Sequence, residues 1–360
     1  MNNRIIVGIS GGVDSSVTAL LLQKKGFDVE CVFMKNWEGN DDEYCTAEED
    51  YKDALAVCDH LGLPLRSVNF SQEYWDKVFQ HFIDEYKKGR TPNPDVLCNR
   101  EVKFKAFLDY ALELGAEKIA TGHYSIIDEL NGDFKLLKGL DPGKDQSYFL
   151  YLLGQNALSK SIFPIGDIEK KEVRKLAEES GLVNHAKKDS TGVCFIGEQK
   201  FFKEFLKKYI PSNPGMIETI DGKECGKHDG LMYYTIGQRK GLGIGGGYGK
   251  LEAPWFVAEK DLYRNVLIVA QGHTHPALYH KQLFADQIHW IRGLVPEDLS
   301  GLSAKIRYRQ SDQKCKITEL SQDRCTVVFD KPQFAITPGQ SVVFYRDNEC
   351  LGGAVIDCRK

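Results

Sequence analysis

Residues 4–22 read RIIVGISGGVDSSVTALLL, and the fold is decided here. Arg4 to Ile9 is a short apolar, β-branched run with strand character, and from Val13 onward the spacing becomes helical. Between them Ser10, Gly11 and Gly12 form a tight turn. Backbone N–H groups in such a turn point at an anion, and the following helix N-terminus adds its dipole. Gly8, Ile9, Ser10, Gly11, Gly12, Val13, Asp14 and Ser15 are therefore candidate nucleotide-binding residues. Asp14 is placed to meet Mg2+ or a nucleotide-bound water, and Ser15 and Ser16 supply hydroxyls. No lysine lies in the turn, so the loop is not of the GxxxxGK[ST] type. The plain alternative is a glycine-rich turn with no ligand.

Working outward, residues 1–125 alternate short apolar runs (RIIVGI, DVECVFM, PLRSVNF, KIATGH) with helix-spaced segments, several of which stop at glycine. Alternation of this kind predicts a parallel sheet covered by helices. Ligands of such sheets bind beyond the carboxyl ends of the strands. Met34, ending the second run, and Gly122, ending a later one, fall at such ends and join the candidate nucleotide site. Residues 147–210 read as mostly helical. After PSNPG glycine becomes dense and strands short, and from about 280 short strands alternate with turn signals, the pattern of a small antiparallel barrel. The expected divisions are 1–210, a small β-rich unit at 211–275, and a barrel at 276–360.

With 42% hydrophobic and 27% charged residues, the composition is that of a globular protein. The N-terminus runs straight into a strand, and no apolar run approaches the roughly 20 residues of a membrane span, so a cytoplasmic, non-membrane protein is expected. A net charge of −4 gives no average footprint for nucleic acid, although local patches such as RYR at 307–309 can still bind phosphates and stack on bases. The ten cysteines are scattered without a CxxC pair, which excludes a zinc ribbon and a thioredoxin motif and leaves most of them as core fillers.

Two cysteines stand apart. Cys98, in TPNPDVLCNREVKF, is expected on a proline-stiffened loop feeding a helix, three residues after Asp95. Cys194 lies in the turn-rich KKDSTGVCFIG. A sulfur nucleophile needs a carrier, which a cysteine persulfide provides. A free thiol of pKa about 8.5 is only slightly ionised at neutral pH, and Lys187 and Lys188 are candidates for a basic environment around Cys194. A second thiol can then attack the inner sulfur, with Asp95 moving the proton.

The SGGVDS loop resembles that of the N-type ATP pyrophosphatases, the adenine-nucleotide α-hydrolase-like (PP-loop) fold, which split ATP between the α and β phosphates. SGGVDSS, NPDVLCN, ATGHY, KDQSYFL, KDSTGVCFIG, YYTIGQRKGLGI and GQSVVFY, in this order, resemble the tRNA-specific 2-thiouridylases across nearly the whole chain. The resemblance implies 2-thiolation of the wobble uridine (position 34) of tRNA. ATP, with Mg2+, is then the expected cofactor, and a sulfur-relay protein or cysteine desulfurase the expected donor. It implies Cys194 as persulfide carrier, Cys98 as nucleophile or resolving thiol, and Asp95 as general acid/base. Asn93, Pro94 and Asp95 would contact the target base. His123, Lys144, Asp145, Gln146, Arg307, Tyr308 and Gln340 would touch tRNA. An iron–sulfur cluster on Cys98, Cys194 and a third ligand is compatible with two thiols but is not part of the expected set.

Two patterns are set aside. The glycines of 241–246 satisfy a dinucleotide-binding expression but follow no apolar strand. His273, His275 and His280 have no acid or cysteine at ligand spacing, and no metal site is expected. Other readings keep the pyrophosphatase fold but deliver nitrogen, as amidating or lysidine-type synthetases do, or make the chain a non-catalytic tRNA- or nucleotide-binding protein. Neither gives the two cysteines work.

Overall fold

The computed structural model describes residues 3–38, 47–189, 202–245 and 253–360. Five strands, Arg4–Ile9, Asp28–Lys35, Leu65–Asn69, Lys118–Ala120 and Ser161–Ile162, form one parallel sheet. Arg4–Ile9 is central and buried on both faces, which is why it reads as a continuous apolar run. Ile5, Val7 and Ile9 pack into a core shared with the helices Val13–Lys24, Ala47–Leu61 and Lys170–Glu179. Ile6 faces the opposite core, with Phe79, Phe82, Val102 and Phe107. Aromatic pairs hold this second core to the Phe202–Tyr209 helix, Phe79 meeting Tyr209 edge-on at 4.8 Å.

The first three strands are laid outward from the centre to one side, and Lys118–Ala120 and Ser161–Ile162 are added on the other. That reversal opens a crevice past the carboxyl ends of Arg4–Ile9 and Lys118–Ala120, the usual ligand position in open α/β sheets. Parallel α/β architecture is what the opening stretch of sequence predicts.

A four-stranded sheet follows, ordered Trp255–Asp261, Val266–Gln271, Gly215–Thr219, Glu224–His228. Six antiparallel strands (Tyr279–Trp290, Ser303–Lys305, Gln313–Leu320, Arg324–Phe334, Ser341–Arg346 and Glu349–Arg359) then close a barrel by pairing the first with the last. Closure removes the exposed edges that small sheets otherwise carry. Among the described residues no helix is long and apolar enough to cross a membrane.

One element has no counterpart in the sequence reading. The hairpin Ser125–Leu130 and Asp133–Lys138 leaves the N-terminal unit and pairs with the last barrel strand, Leu136 opposite Cys350 and Leu137 opposite Glu349. Beside it Asp145, buried, receives the Lys305 ammonium of the barrel at 3.1 Å and accepts the Ser147 and Gly139 N–H groups. N-terminal unit and barrel therefore share one sheet and one buried ion pair. Breaking such a pair strands a charge in the interior. Asp145→Ala should lower unfolding free energy by about 3 kcal/mol in urea titration, whereas a loss no larger than the roughly 1 kcal/mol of a surface pair would remove that role.

Candidate active site

The crevice is lined by the turn after Arg4–Ile9. Gly11 has φ +72°, and a Cβ there would lie 2.2 Å from the Asp50 carbonyl oxygen, so only glycine fits. The turn is closed by the Ser10 N–H donating to Ser15 Oγ at 3.1 Å and by Ser15 Oγ donating to the Gly12 carbonyl at 3.0 Å. From beneath, Asn184 Nδ2 donates to the Gly11 carbonyl and to Ser16 Oγ, both at 2.9 Å. Gly12, at the N-cap of the Val13–Lys24 helix, has no side chain to cap its first N–H groups. A Cβ on Gly122 would lie 2.8 Å from the backbone of Asp14 and Ser15. A Cβ on Gly8 would meet Met34 Cε at 3.0 Å and Phe107 Cε1 at 3.2 Å. Gly8, Met34, Gly122 and the loop thus gather around one helix start.

Asp14 is wired into a charge network. Its Oδ1 accepts the Tyr124 hydroxyl at 2.7 Å, and the Lys170 ammonium spans its two oxygens at 2.7 and 2.8 Å. The same ammonium reaches Asp189 at 2.7 Å, which also receives Lys144 at 2.6 Å and Arg174 at 2.7 Å. Burial works against ionisation of Asp189, but the ammonium groups of Lys144 and Lys170 overcome it and bring the carboxyl down to about 2. Burial, with Asp14 beside it, pushes the Tyr124 phenol far up. Sequence reading missed Tyr124, Lys170, Asn184 and Asp189, which are joined only by the fold; the one local signal was the acid in KKDSTG. Lys187, expected near Cys194, donates to Asp50 at 2.7 Å and to Asp53. Cys194 itself lies outside the described residues.

Cys98 does not lie on a loop. Pro94 opens a helix, the position where its missing N–H costs nothing, and Asn93 Oδ1 caps it by accepting the Asp95 N–H at 3.2 Å. The chain continues without a break as a π-helical stretch over Cys98–Ala106 and an α-helix over Phe107–Glu113. Such widened turns are frequent at functional sites. Asp95 and Cys98, three apart, share a face near its start. Cys98 is buried, and burial raises the Asp95 carboxyl despite the charge of Lys103. Phe107, against Gly8, lies nine residues on, and because widened turns rise less per residue than an α-helix, Cys98 and that contact are on the order of 10 Å apart along the axis.

The barrel holds the other end of this helix. Gln340 Nε2 donates to the Thr91 carbonyl at 2.8 Å and to that of Pro92 at 3.3 Å, and the Thr91 N–H donates to Pro338 at 2.9 Å. His123 is buried with its ring 5.6 Å from Phe104 and 5.7 Å from Phe163, and Nδ1 is 2.7 Å from Thr121 Oγ1. Burial drives its imidazole well below the usual range, so the ring is neutral. Asn99, next to the thiol, donates to the Phe149 carbonyl at 3.2 Å while its Oδ1 is buried without a partner among the described residues. The Phe149 ring packs on Tyr308 at 4.4 Å, and the Tyr308 hydroxyl donates to the Lys144 carbonyl at 3.3 Å. KDQSYF and RYR therefore flank the Cys98 helix.

Two residues expected at the RNA also have partners within the protein: Asp145 pairs with Lys305, and Arg307 donates to the carbonyls of Ile236 at 3.1 Å and Ala335 at 3.0 Å. Gln146 pairs with the Tyr124 backbone through its N–H and its side-chain oxygen. Exposed Arg309, over the Tyr308 ring at 5.9 Å, is the member of RYR that faces outward. In the histidine cluster, His273 stacks on Phe334 at 4.5 Å and His275 Nδ1 accepts the Ala277 N–H at 3.2 Å. Among the described residues no three His, Cys, Asp or Glu side chains are grouped to hold a metal.

Residues 3–198 match the family model described as tRNA methyl transferase HUP domain, 203–271 the tRNA methyl transferase PRC-barrel domain, and 280–356 the aminomethyltransferase beta-barrel domain. The tRNA-specific 2-thiouridylase MnmA of Methylococcus capsulatus is 58% identical, over 99% of this chain and 97% of that one. The protein of the same name from Francisella tularensis subsp. novicida is 60% identical over 99% of both. With this identity over the full length, the chain belongs to the tRNA-specific 2-thiouridylase family.

Proposed function

We propose that this chain replaces the C2 oxygen of the tRNA wobble uridine with sulfur, consuming ATP and releasing AMP and pyrophosphate. The observation that carries this reading is the single helix Pro94–Glu113, which sets Asp95 and Cys98 near one end and abuts Gly8 of the nucleotide loop farther on. An adenylating loop and a thiol held a nucleotide's length apart suit a reaction that activates a carbonyl and then displaces the oxygen with sulfur.

In this reading the uracil C2 oxygen attacks the α-phosphorus, the bond to the β-phosphate breaks, and the N3 proton is lost. Asp95 suits that transfer, because a carboxyl raised by burial can both take and return a proton. The terminal sulfur of a persulfide on Cys194 then bonds to C2, and the C2–O bond breaks as AMP departs with the former uracil oxygen. Attack of the Cys98 thiolate on the Cys194 sulfur cleaves the persulfide S–S bond and leaves sulfur on C2. The resulting Cys98–Cys194 disulfide is reset by an external thiol, and a sulfur-relay protein or cysteine desulfurase reloads Cys194. Asp14, a one-third exposed carboxylate at the loop, fits the single-carboxylate habit of phosphate-bound Mg2+, which would neutralise the leaving pyrophosphate. To reach the site the base must leave the anticodon stack. Asn93, Pro94, His123, Lys144, Tyr308 and Gln340 border its approach.

Incubation with ATP, unmodified tRNA and a persulfide donor should give 2-thiouridine, AMP and pyrophosphate in equal amounts; ADP as product would overturn the nucleotide assignment. Cys194→Ser should abolish persulfide labelling, whereas Cys98→Ser should keep the label and form no 2-thiouridine, and a fully active double variant would end both roles. For RNA contact, Arg309→Ala should weaken tRNA binding and lower its salt slope by about 1. Unchanged affinity across several salt concentrations would remove the Arg309 contact.

A further inference from the structure

Most lysines around the site are matched by acids: Lys170 by Asp14 and Asp189, Lys144 by Asp189, Lys187 by Asp50 and Asp53, Lys305 by Asp145. Lys103 is not. It is half-buried, and among the described residues no carboxylate lies within ion-pair distance and no acceptor within hydrogen-bond distance of its ammonium. Its charge nonetheless bears on two site residues, Asp95, which it favours in the ionised form, and His123, which it discourages from protonating. A cation left without a partner in a half-buried position is costly unless an anion arrives.

Backbone winding explains where this ammonium goes. On an α-helix, residues five apart point about 140° away from each other. Over Cys98–Ala106 the bonding is i→i+5, which widens the turn to about 4.4 residues, so Lys103 comes round to within about 50° of the Cys98 direction, one wide turn further on. Phe104 meets His123 at 5.6 Å, and Phe107 meets Gly8. Along the helix axis Lys103 therefore lies between Cys98 and Phe107, the residue that meets Gly8, and its charge reaches Asp95 and His123.

We propose that Lys103 is a further catalytic residue, its ammonium donating to the oxygen that joins uracil C2 to the α-phosphate. This rests on the thiolation reading above. As sulfur bonds to C2, the C2–O bond breaks with its electron pair moving to AMP, and the ammonium stabilises that charge while keeping its proton. Such a donor acts where charge develops rather than on the bound ground state.

The test uses the full chain with ATP, unmodified tRNA and a persulfide donor, comparing wild type, Lys103→Met and Lys103→Arg. Wild type must first form 2-thiouridine with AMP; if it forms none, the thiolation reading itself fails, and Lys103 with it. With an active wild type, Lys103→Met should lose about 10²–10³-fold in kcat, with ATP KM and tRNA Kd within threefold and a melting temperature no lower than wild type. Lys103→Arg, which keeps a cationic donor, should regain activity to within tenfold. The inference is overturned by Lys103→Met turning over within threefold of wild type. It is equally overturned if the whole loss lies in tRNA binding with kcat intact, or if Arg fails to rescue in a protein that melts normally.

Discussion

The helix Pro94–Glu113 is the constraint on which the site depends. Its start is pinned to the barrel through Gln340 and Pro338, and its Phe107 seats against Gly8 at the mouth of the nucleotide loop. Because the element is continuous, the distance from Cys98 to the loop is set by helix geometry rather than by loop conformation. The barrel is therefore more than an appendage. It fixes the Cys98 end of this helix, and the shared sheet and the Asp145–Lys305 pair keep it in register with the N-terminal unit.

Charge placement follows the same economy. Asp14, Lys170, Asp189, Lys144 and Arg174 form one connected network of three cations and two carboxylates at the nucleotide loop. Its surplus of positive charge suits incoming phosphates, and with each group already paired, the network needs no ligand to be stable. At the thiol end Asp95, His123 and Lys103 show the opposite pattern, with a raised carboxyl, a neutral imidazole and an ammonium unmatched among the described residues. Groups of this kind are poised for reaction rather than for stability.

The sequence made the local and periodic features legible. Ser10–Gly12 is a turn in which Gly11 admits no other residue, and the barrel strands announce themselves by alternation and turn residues. What it hid was long-range. The two-residue strand Ser161–Ile162 and the hairpin that joins the last barrel strand carry no pattern of their own. Pro92 and Pro94 read as a stiff loop, yet Pro94 is the first helical residue, and nothing in CNREVKFKA signals π winding. Asp145 and Arg307 lie in motifs that suggest RNA, and the domain contacts they also make, to Lys305, Ile236 and Ala335, come from segments far away in sequence and leave no local signal.

The central claim is that the uracil C2 oxygen is itself adenylated and then expelled by sulfur. Transfer of isotope tests it most directly: tRNA carrying ¹⁸O at C2 of the wobble uridine is thiolated in a single turnover, and the phosphorus products are weighed by mass spectrometry. The account requires one ¹⁸O in the phosphate of AMP and none in pyrophosphate. Recovery of the label in water or in pyrophosphate, with AMP unlabelled, would contradict it.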